Sequence, residues 1–319
     1  MRKLKIGNVS LKNRLLLAPL VDVSDLPFRL VCREQGASMA YVEMLNISAI
    51  LHENEHTGGL MKLDRRDKPS GIQITGKTVE EFEKVVPYVE KFDVVDVNCG
   101  CPSIRITDNG SGSFLLKHPD KIADMVRTLK DAGLTTTAKI RLGFKENNVL
   151  KVAKAVEKAG ADAITVHARL AFHGSDVPAD WKWIAKVKKS VGIPVIGNGD
   201  VWDGPSAEKM LEVADGAMIA RASIGDPAVF ERILHYMKTG KEKEFDAGKN
   251  MKIFLEYLKL EKANGANMGR IKRVCSKFVR GFGGAAKARE RMMRKKTYDE
   301  VLSFAKELSR SVQDDASKE

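Results

Sequence analysis

Eight short apolar runs, each followed by a longer amphipathic stretch, constrain the fold of this chain more than any other feature. The runs lie at 14–20, 39–44, 71–76, 92–98, 135–143, 162–168, 193–199 and 216–222. They are short and β-rich, so they predict strands. The intervening stretches, "TVEEFEKVVPYVEKF", "DKIADMVRTLKDAG" and "NNVLKVAKAVEKAG" among them, carry helical periodicity. Several end in Gly after Lys or Ala, a helix stop signal. With "EKAGADAI" and "KKSVGIPVI" as helix-to-strand turns, the pattern predicts an α/β chain folded as a (β/α)₈ TIM barrel. A doubly wound sheet is the alternative. It wants a glycine-rich fingerprint after the first strand, and "APLVDVSDLP" is not one.

The barrel is expected to occupy residues 1–236. The following "MKTGKEKEFDAGKN" (237–250) is charged, has little apolar periodicity and reads as a linker. Residues 251–319 are helical in pattern throughout, so a small all-helical C-terminal domain is expected, with a frayed tail "SVQDDASKE". Charge is concentrated there. Between Lys262 and Lys296 stand twelve Lys or Arg against the single acid Glu290, which is +11 of the chain's net +12. A solvated helical surface would interleave Glu with Lys; this segment does not, and predicts a polyanionic partner such as nucleic acid. No run of about 18 apolar residues is present, so no membrane span is expected. The start, "MRKLKIGNVSLKN", lacks the apolar core of a secretion signal. Four cysteines are too few for a disulfide scaffold, so a reducing cytoplasm is the expected compartment.

In such a barrel the chemistry belongs at the C-terminal ends of the strands. The polar residues ending the eight runs are candidates as a set: Glu43, Gln73, Asn98 with Cys101, Lys139 with Arg141, His167 with Arg169, Asn198 with Asp200, and Arg221, with Pro19 ending the first. The last two loops, "GNGDVWDG" and "ARASIGDP", predict phosphate binding through backbone N–H groups, with Gly197 and Gly199 permitting close approach and Arg221 adding charge. Lys139 could form a Schiff base, as in an aldolase. Arg141 two residues on shares its face, and two cations also suit an anionic or electron-rich ring. Cys99 and Cys101 lack the partners of a zinc site. One of them acting as a thiol, or both being structural, remains; Cys101, before Pro102, is the one expected in the site. Free thiols are mostly protonated near neutrality and can donate a proton as well as attack. "HENEH" (52–56) fits a metalloprotease pattern, but "TGGL" follows at once and no third ligand appears at a matching spacing, so a helix terminus is expected and no metal.

Taken together, the strand ends resemble those of the tRNA-dihydrouridine synthases, flavin barrels that reduce uridine in tRNA. The resemblance rests on "APLVDVSDLPFR" (18–29), "VEM" (42–44), "IQITG" (72–76), "DVNCGCPSIRITDNGSGSFLL" (96–116), "KIRLG" (139–143), "VHAR" (166–169), "ADW" (179–181), "IGNGD" (196–200), "DGAMIARASIGDP" (215–227) and "KFVRGFGGAAKARERM" (277–292). It runs nearly end to end. It implies FMN at the barrel mouth and NADPH as electron donor. Pro19 and Leu20 would lie along the flavin by backbone, Gln73 would meet the ring edge, and Lys139 and His167 would stabilise negative charge at the pyrimidine side. Asn198, Gly199, Asp200, Ala220 and Arg221 would hold ribityl and phosphate. Asn98, Arg141 and Arg169 would face the flipped uracil. Hydride would go from reduced FMN to C6, and Cys101 would protonate C5. Arg270, Lys272, Arg273, Lys277 and Arg280 would grip the tRNA backbone, and a monomer is expected.

One stretch departs from that pattern. After "VHAR" the family continues with Thr and then Gln, whereas this chain reads "LAFHGSDVPADW", with Leu170 and His173 in those places. His173 is a candidate substitute on that side. Three other readings compete: a flavin barrel acting on a small pyrimidine, as dihydroorotate dehydrogenases do; a Lys139 aldolase; and an RNA-binding protein whose barrel has lost catalysis. The first would not need the +11 helical segment, the second would require a protein without bound flavin, and the presence of Cys101, Lys139 and His167 argues against the third.

Overall fold

The computed structural model describes residues 3–316. A short antiparallel hairpin, β1 (Leu4–Ile6) and β2 (Val9–Leu11), precedes the predicted strands. Those are β3 (Leu15–Leu17), β4 (Met39–Asn46), β5 (Ser70–Thr75), β6 (Val94–Cys99), β7 (Thr136–Arg141), β8 (Ala163–His167), β9 (Val195–Asn198) and β10 (Gly216–Ile219). They pair in parallel in chain order, and β10 returns to β3 to close the barrel. The (β/α)₈ fold is therefore present, and it runs into a helical C-terminal region.

Two apolar clusters hold it together. Inside the barrel Leu16, Met39, Tyr41, Val94, Ile196 and Met218 pack in layers, with Leu4, Ile6 and Leu11 of the hairpin closing the N-terminal end. Outside, the opposite faces of the strands meet the apolar faces of the helices, as with Leu17, Phe28, Phe82 and Phe230, all fully buried. Each such side chain contributes about 1.5–3 kcal/mol on burial. Helix starts are chemically marked. Thr78 and Glu81 form a reciprocal capping box at Val79–Val89, and Asp203 with Ser206 does so at Gly204–Val213.

Beyond the barrel, helices Ala247–Ala263, Met268–Phe278, Ala285–Met293 and Tyr298–Ala316 follow. The expected linker is partly helical. The barrel's last helix continues to Thr239, and Asp246 caps the next by accepting from the Lys249 N–H, so 240–246 alone are irregular. The closing helix likewise runs further into the tail than expected, to Ala316, and residues 317–319 lie outside the described part.

The helical region is fastened to the barrel by shared packing and by buried polar contacts. Phe254 stacks on Phe278 at 4.9 Å, Tyr257 on Phe278 at 5.8 Å, and Phe28 of the barrel helix Leu26–Glu34 meets Tyr257 edge-on at 6.4 Å. The buried Asn250 amide donates to the carbonyls of Gly225 (3.1 Å) and Phe278 (2.9 Å). Arg270 reaches Glu43 of β4 at 2.5 Å and Asp25 at 3.5 Å. That placement corrects one expectation. Arg270 is 5% exposed, its charge is spent on barrel carboxylates, and it is not offered to a polyanion.

Candidate active site

A cleft of about 380 Å³ opens at the C-terminal mouth of the barrel. Of the residues singled out from the sequence, Pro19, Leu20, Lys139, Arg141, His167, Arg169, Asn198, Gly199, Asp200, Ala220 and Arg221 line it, and so does His173. Gln73, Asn98 and Cys101 are not in its wall. Cys101 is half-exposed on the rim beside Pro102, which does line the cleft. The buried Gln73 and Asn98 lie beneath, linked by the Asn98 amide donating to Gln73 Oε1 at 2.7 Å.

The loop after β6 carries the thiol, and its shape is dictated locally. Asn98 Oδ1 accepts the N–H groups of Gly100 (3.2 Å) and Cys101 (3.0 Å), which turns the chain sharply and lifts Cys101 to the mouth. Arg141 braces this loop from the neighbouring strand. Its Nε donates to Gly100 O at 2.8 Å, and Nη1 donates to Leu170 O at 3.0 Å, tying the loops after β6 and β8 together. Cys99 is fully buried, and burial with the nearby Asp96 pushes its thiol well up.

The floor of the cleft is a graded set of charges. Gln73 donates to Asp96 at 2.7 Å and Thr137 donates to its other oxygen at 2.6 Å. Burial nevertheless raises Asp96 to about 6. Lys139 is lowered to about 8, by burial first and then by the adjacent Arg141, with Asp96 and Cys101 opposing. Arg141 falls to about 10, again chiefly by burial. His167 is held well below its ordinary value by burial and by four surrounding cations, Lys139, Arg141, Arg169 and Arg221. Arg169 stands 3.1 Å from His167 Nε2; since a guanidinium can only donate, Nε2 accepts and the neutral ring keeps its proton on Nδ1.

The loops after β9 and β10 form the remaining wall of the cleft. Gly199 has φ +109°, and a Cβ there would come within 3.0 Å of both His167 and Ala179, so the turn admits no side chain. Asp200 follows at φ +56°. Its carboxylate accepts two bonds from Arg169 Nη2 (2.8 and 2.6 Å), one from Arg221 (2.9 Å) and the Ala179 N–H (2.9 Å). Burial alone would raise Asp200, but these bonds hold it below the usual carboxylate value. Asp200 thereby fixes the orientation of Arg221. Trp202 lies against the Arg221 guanidinium at 4.8 Å from the ring centre. Sequence reasoning passed over Trp202 and Asp96. Asp96 shares the strand face of Asn98, two residues on, and that alternation was the available signal; for Trp202 it was the position in the "GNGDVW" loop.

Beside the mouth, Arg273, Lys277 and Arg280 are exposed and Lys272 is half-buried. Arg273 pairs with Asp22 in the loop after β3 at 3.2 Å, and Arg280 pairs with Asp226 in the loop after β10 at 3.4 Å. The "HENEH" histidines do not share a helix: His52 ends Ile47–Leu51, and His56 belongs to Glu55–Leu60. Among the described residues no group of three or more His, Cys, Asp or Glu could hold a metal, and no helix is long and apolar enough to cross a membrane.

Fold and site together define a closed parallel β-barrel with a cation-lined cleft at its C-terminal mouth and a half-exposed thiol on the rim. Solved structures share the fold alone: 2-naphthoyl-CoA reductase at TM-score 0.59 and 15% identity, covering 73% of this chain and 52% of that one, and morphinone reductase at 0.56 and 13%, covering 78% and 91%. The sequence profile of the dihydrouridine synthase (Dus) family matches residues 16–316. A probable tRNA-dihydrouridine synthase 1 from Synechocystis sp. is 34% identical over 96% of this chain and 91% of its own length. The tRNA-dihydrouridine synthase B of Klebsiella pneumoniae is 32% identical over 75% and 76%. The chain belongs to the dihydrouridine synthase family.

Proposed function

We propose that the protein reduces uridine in tRNA to 5,6-dihydrouridine, using bound FMN and NADPH. The observation that carries this reading is the cleft itself: a cationic floor, an Arg221 anion end, and Cys101 on the opposite rim. The residues present fit the flavin. A flat ring needs an apolar wall, which Ala18, Leu20 and Met218 offer, and a phosphate needs the glycine turn and guanidinium of the last two loops.

Pro19 and Leu20 would flank the ring by backbone. Gln73 keeps one amide N–H beyond its bond to Asp96 and would meet the ring edge. Lys139 and the Nδ1–H of His167 would stabilise charge at the pyrimidine side, while Asn198, Gly199, Ala220 and the Asp200-oriented Arg221 would hold ribityl and phosphate. When bound and reduced, FMN supplies a hydride for uracil C6. Cys101 Sγ holds the proton for C5, so that hydride and proton together saturate the C5=C6 bond. Asn98 acts by setting the Cys101 turn, and Arg141 by bracing it and facing the extruded base; Arg169 contributes by fixing His167 and Asp200 rather than by touching uracil. Lys272, Arg273, Lys277 and Arg280 contact tRNA phosphates, and Arg270 does not.

The family and the exposed basic surface beside the mouth favour tRNA over a small pyrimidine, and they remove the reason for an aldolase lysine. The visible absorption spectrum of the purified protein, with chromatography of the released chromophore, tests the cofactor. Near one FMN per chain is expected. A colourless protein that takes up no added FMN contradicts the reading.

A further inference from the structure

Among the described residues five large apolar side chains are exposed: Val21, Ile104, Phe172, Trp202 and Met293. Four of them stand in loops at the C-terminal mouth, after β3, β6, β8 and β9 respectively. Isolated exposed apolar residues need no explanation, but their concentration around one opening does. Ile104 and Phe172 are the most exposed, at 76% and 65%. Ile104 begins the short helix Ile104–Thr107, three residues after the rim thiol. Phe172 lies in the loop that departs from the family pattern, its ring edge-on to His173 at 4.4 Å between centres. The two loops are joined through the Arg141 bonds to Gly100 and Leu170, so both side chains sit on one braced rim around Cys101.

Basic groups surround that rim. Arg105 next to Ile104, Arg273 across the mouth and Arg221 are all exposed. An apolar protein partner would not match this; a polyanion with flat apolar faces does. We infer that Phe172 and Ile104 are the surfaces on which RNA bases flanking the target uridine stack, occupying the neighbourhood that the extruded base vacates. The inference rests on the proposed tRNA substrate and extends it. A base removed from its stack leaves its neighbours unpartnered, and an exposed aromatic ring or apolar wedge lowers the cost of that state.

The test is kcat/KM for dihydrouridine formation on unmodified tRNA, for Phe172→Ala, Phe172→Leu, Phe172→Trp and Ile104→Ser. Each rate is normalised to the reduction of bound flavin by NADPH, which reports a folded site. Loss of one base–aromatic stack should lower kcat/KM about five- to a hundredfold in the Ala and Leu variants. Trp should restore it, and Ile104→Ser should show a smaller loss. Variants all equal to the wild type overturn the inference. So does full activity in the Leu variant, because bulk without a ring would then suffice. A flavin-loaded wild type that forms no dihydrouridine on tRNA overturns the underlying reading, and is told apart because no variant comparison is then needed.

Discussion

Lys139 stands half-buried on the floor of the cleft beside Arg141, and its ammonium is brought down to about 8 from an ordinary 10.5. The cation therefore predominates below about pH 8 and is lost above it. Flavin reduction by NADPH should decline as pH rises through that value, and Lys139→Met should be slower by on the order of 10²-fold with that inflection gone. Stability moves the other way. Because the folded-state value lies below the unfolded one, the unfolded chain holds more protons between about 8 and 10.5, so stability rises with pH across that window. At pH 7 Lys139→Met should unfold at higher urea than the wild type. Cys101 is a separate test. Cys101→Ala should keep flavin and tRNA binding and lose about 10²- to 10⁴-fold in dihydrouridine formation, the range for a missing general acid; full turnover in that variant would remove the thiol from the mechanism. Cys101 was legible because a short polar motif positions its own loop. Arg270 was not, because its burial depends on Glu43, which lies 227 residues away in the chain and on a barrel strand.

At the scale of elements, all eight barrel strands could be read from the chain, since each is a compact apolar run. The hairpin β1–β2 could not: "LKI" and "VSL" each carry a polar middle residue and form no apolar run, and its role comes from filling the barrel's N-terminal end. The joint between the loop after β10 and the helical region was equally hidden. Gly225 has φ +73°, and a Cβ there would fall 2.2 Å from the Lys277 carbonyl carbon, while its carbonyl accepts from Asn250. Gly225→Ala should force the two apart. The expected result is a loss of about 2–4 kcal/mol in urea unfolding, accompanied by weaker FMN retention, since Arg221 belongs to the same loop. Asn250→Ala should cost about 1–3 kcal/mol by leaving buried carbonyls unpaired. Unchanged unfolding midpoints for both would mean that this joint does not couple the elements.

Across the whole molecule, the concentrated positive charge divides into two uses. Arg270 is an internal fastener between barrel and helices, whereas Arg273, Lys277 and Arg280 face solvent beside the mouth. Removing one partner of a buried ion pair costs about 3–5 kcal/mol, so Arg270→Met should lower stability without altering the salt slope of tRNA binding. Neutralising Lys272, Arg273, Lys277 and Arg280 together should weaken tRNA binding and flatten its dependence on salt, by about 0.7–0.9 in log–log slope for each phosphate that is no longer neutralised. Titrations at several salt concentrations separate the two cases. The total charge was readable in the sequence; its division into a fastener and a surface depended on tertiary packing. The most direct test of the account is to incubate unmodified tRNA with the purified protein and NADPH, digest it, and weigh the nucleosides. A uridine heavier by two hydrogens, absent with Cys101→Ala, is the result expected. Unaltered nucleosides from a preparation that carries reducible FMN and binds the tRNA would contradict it.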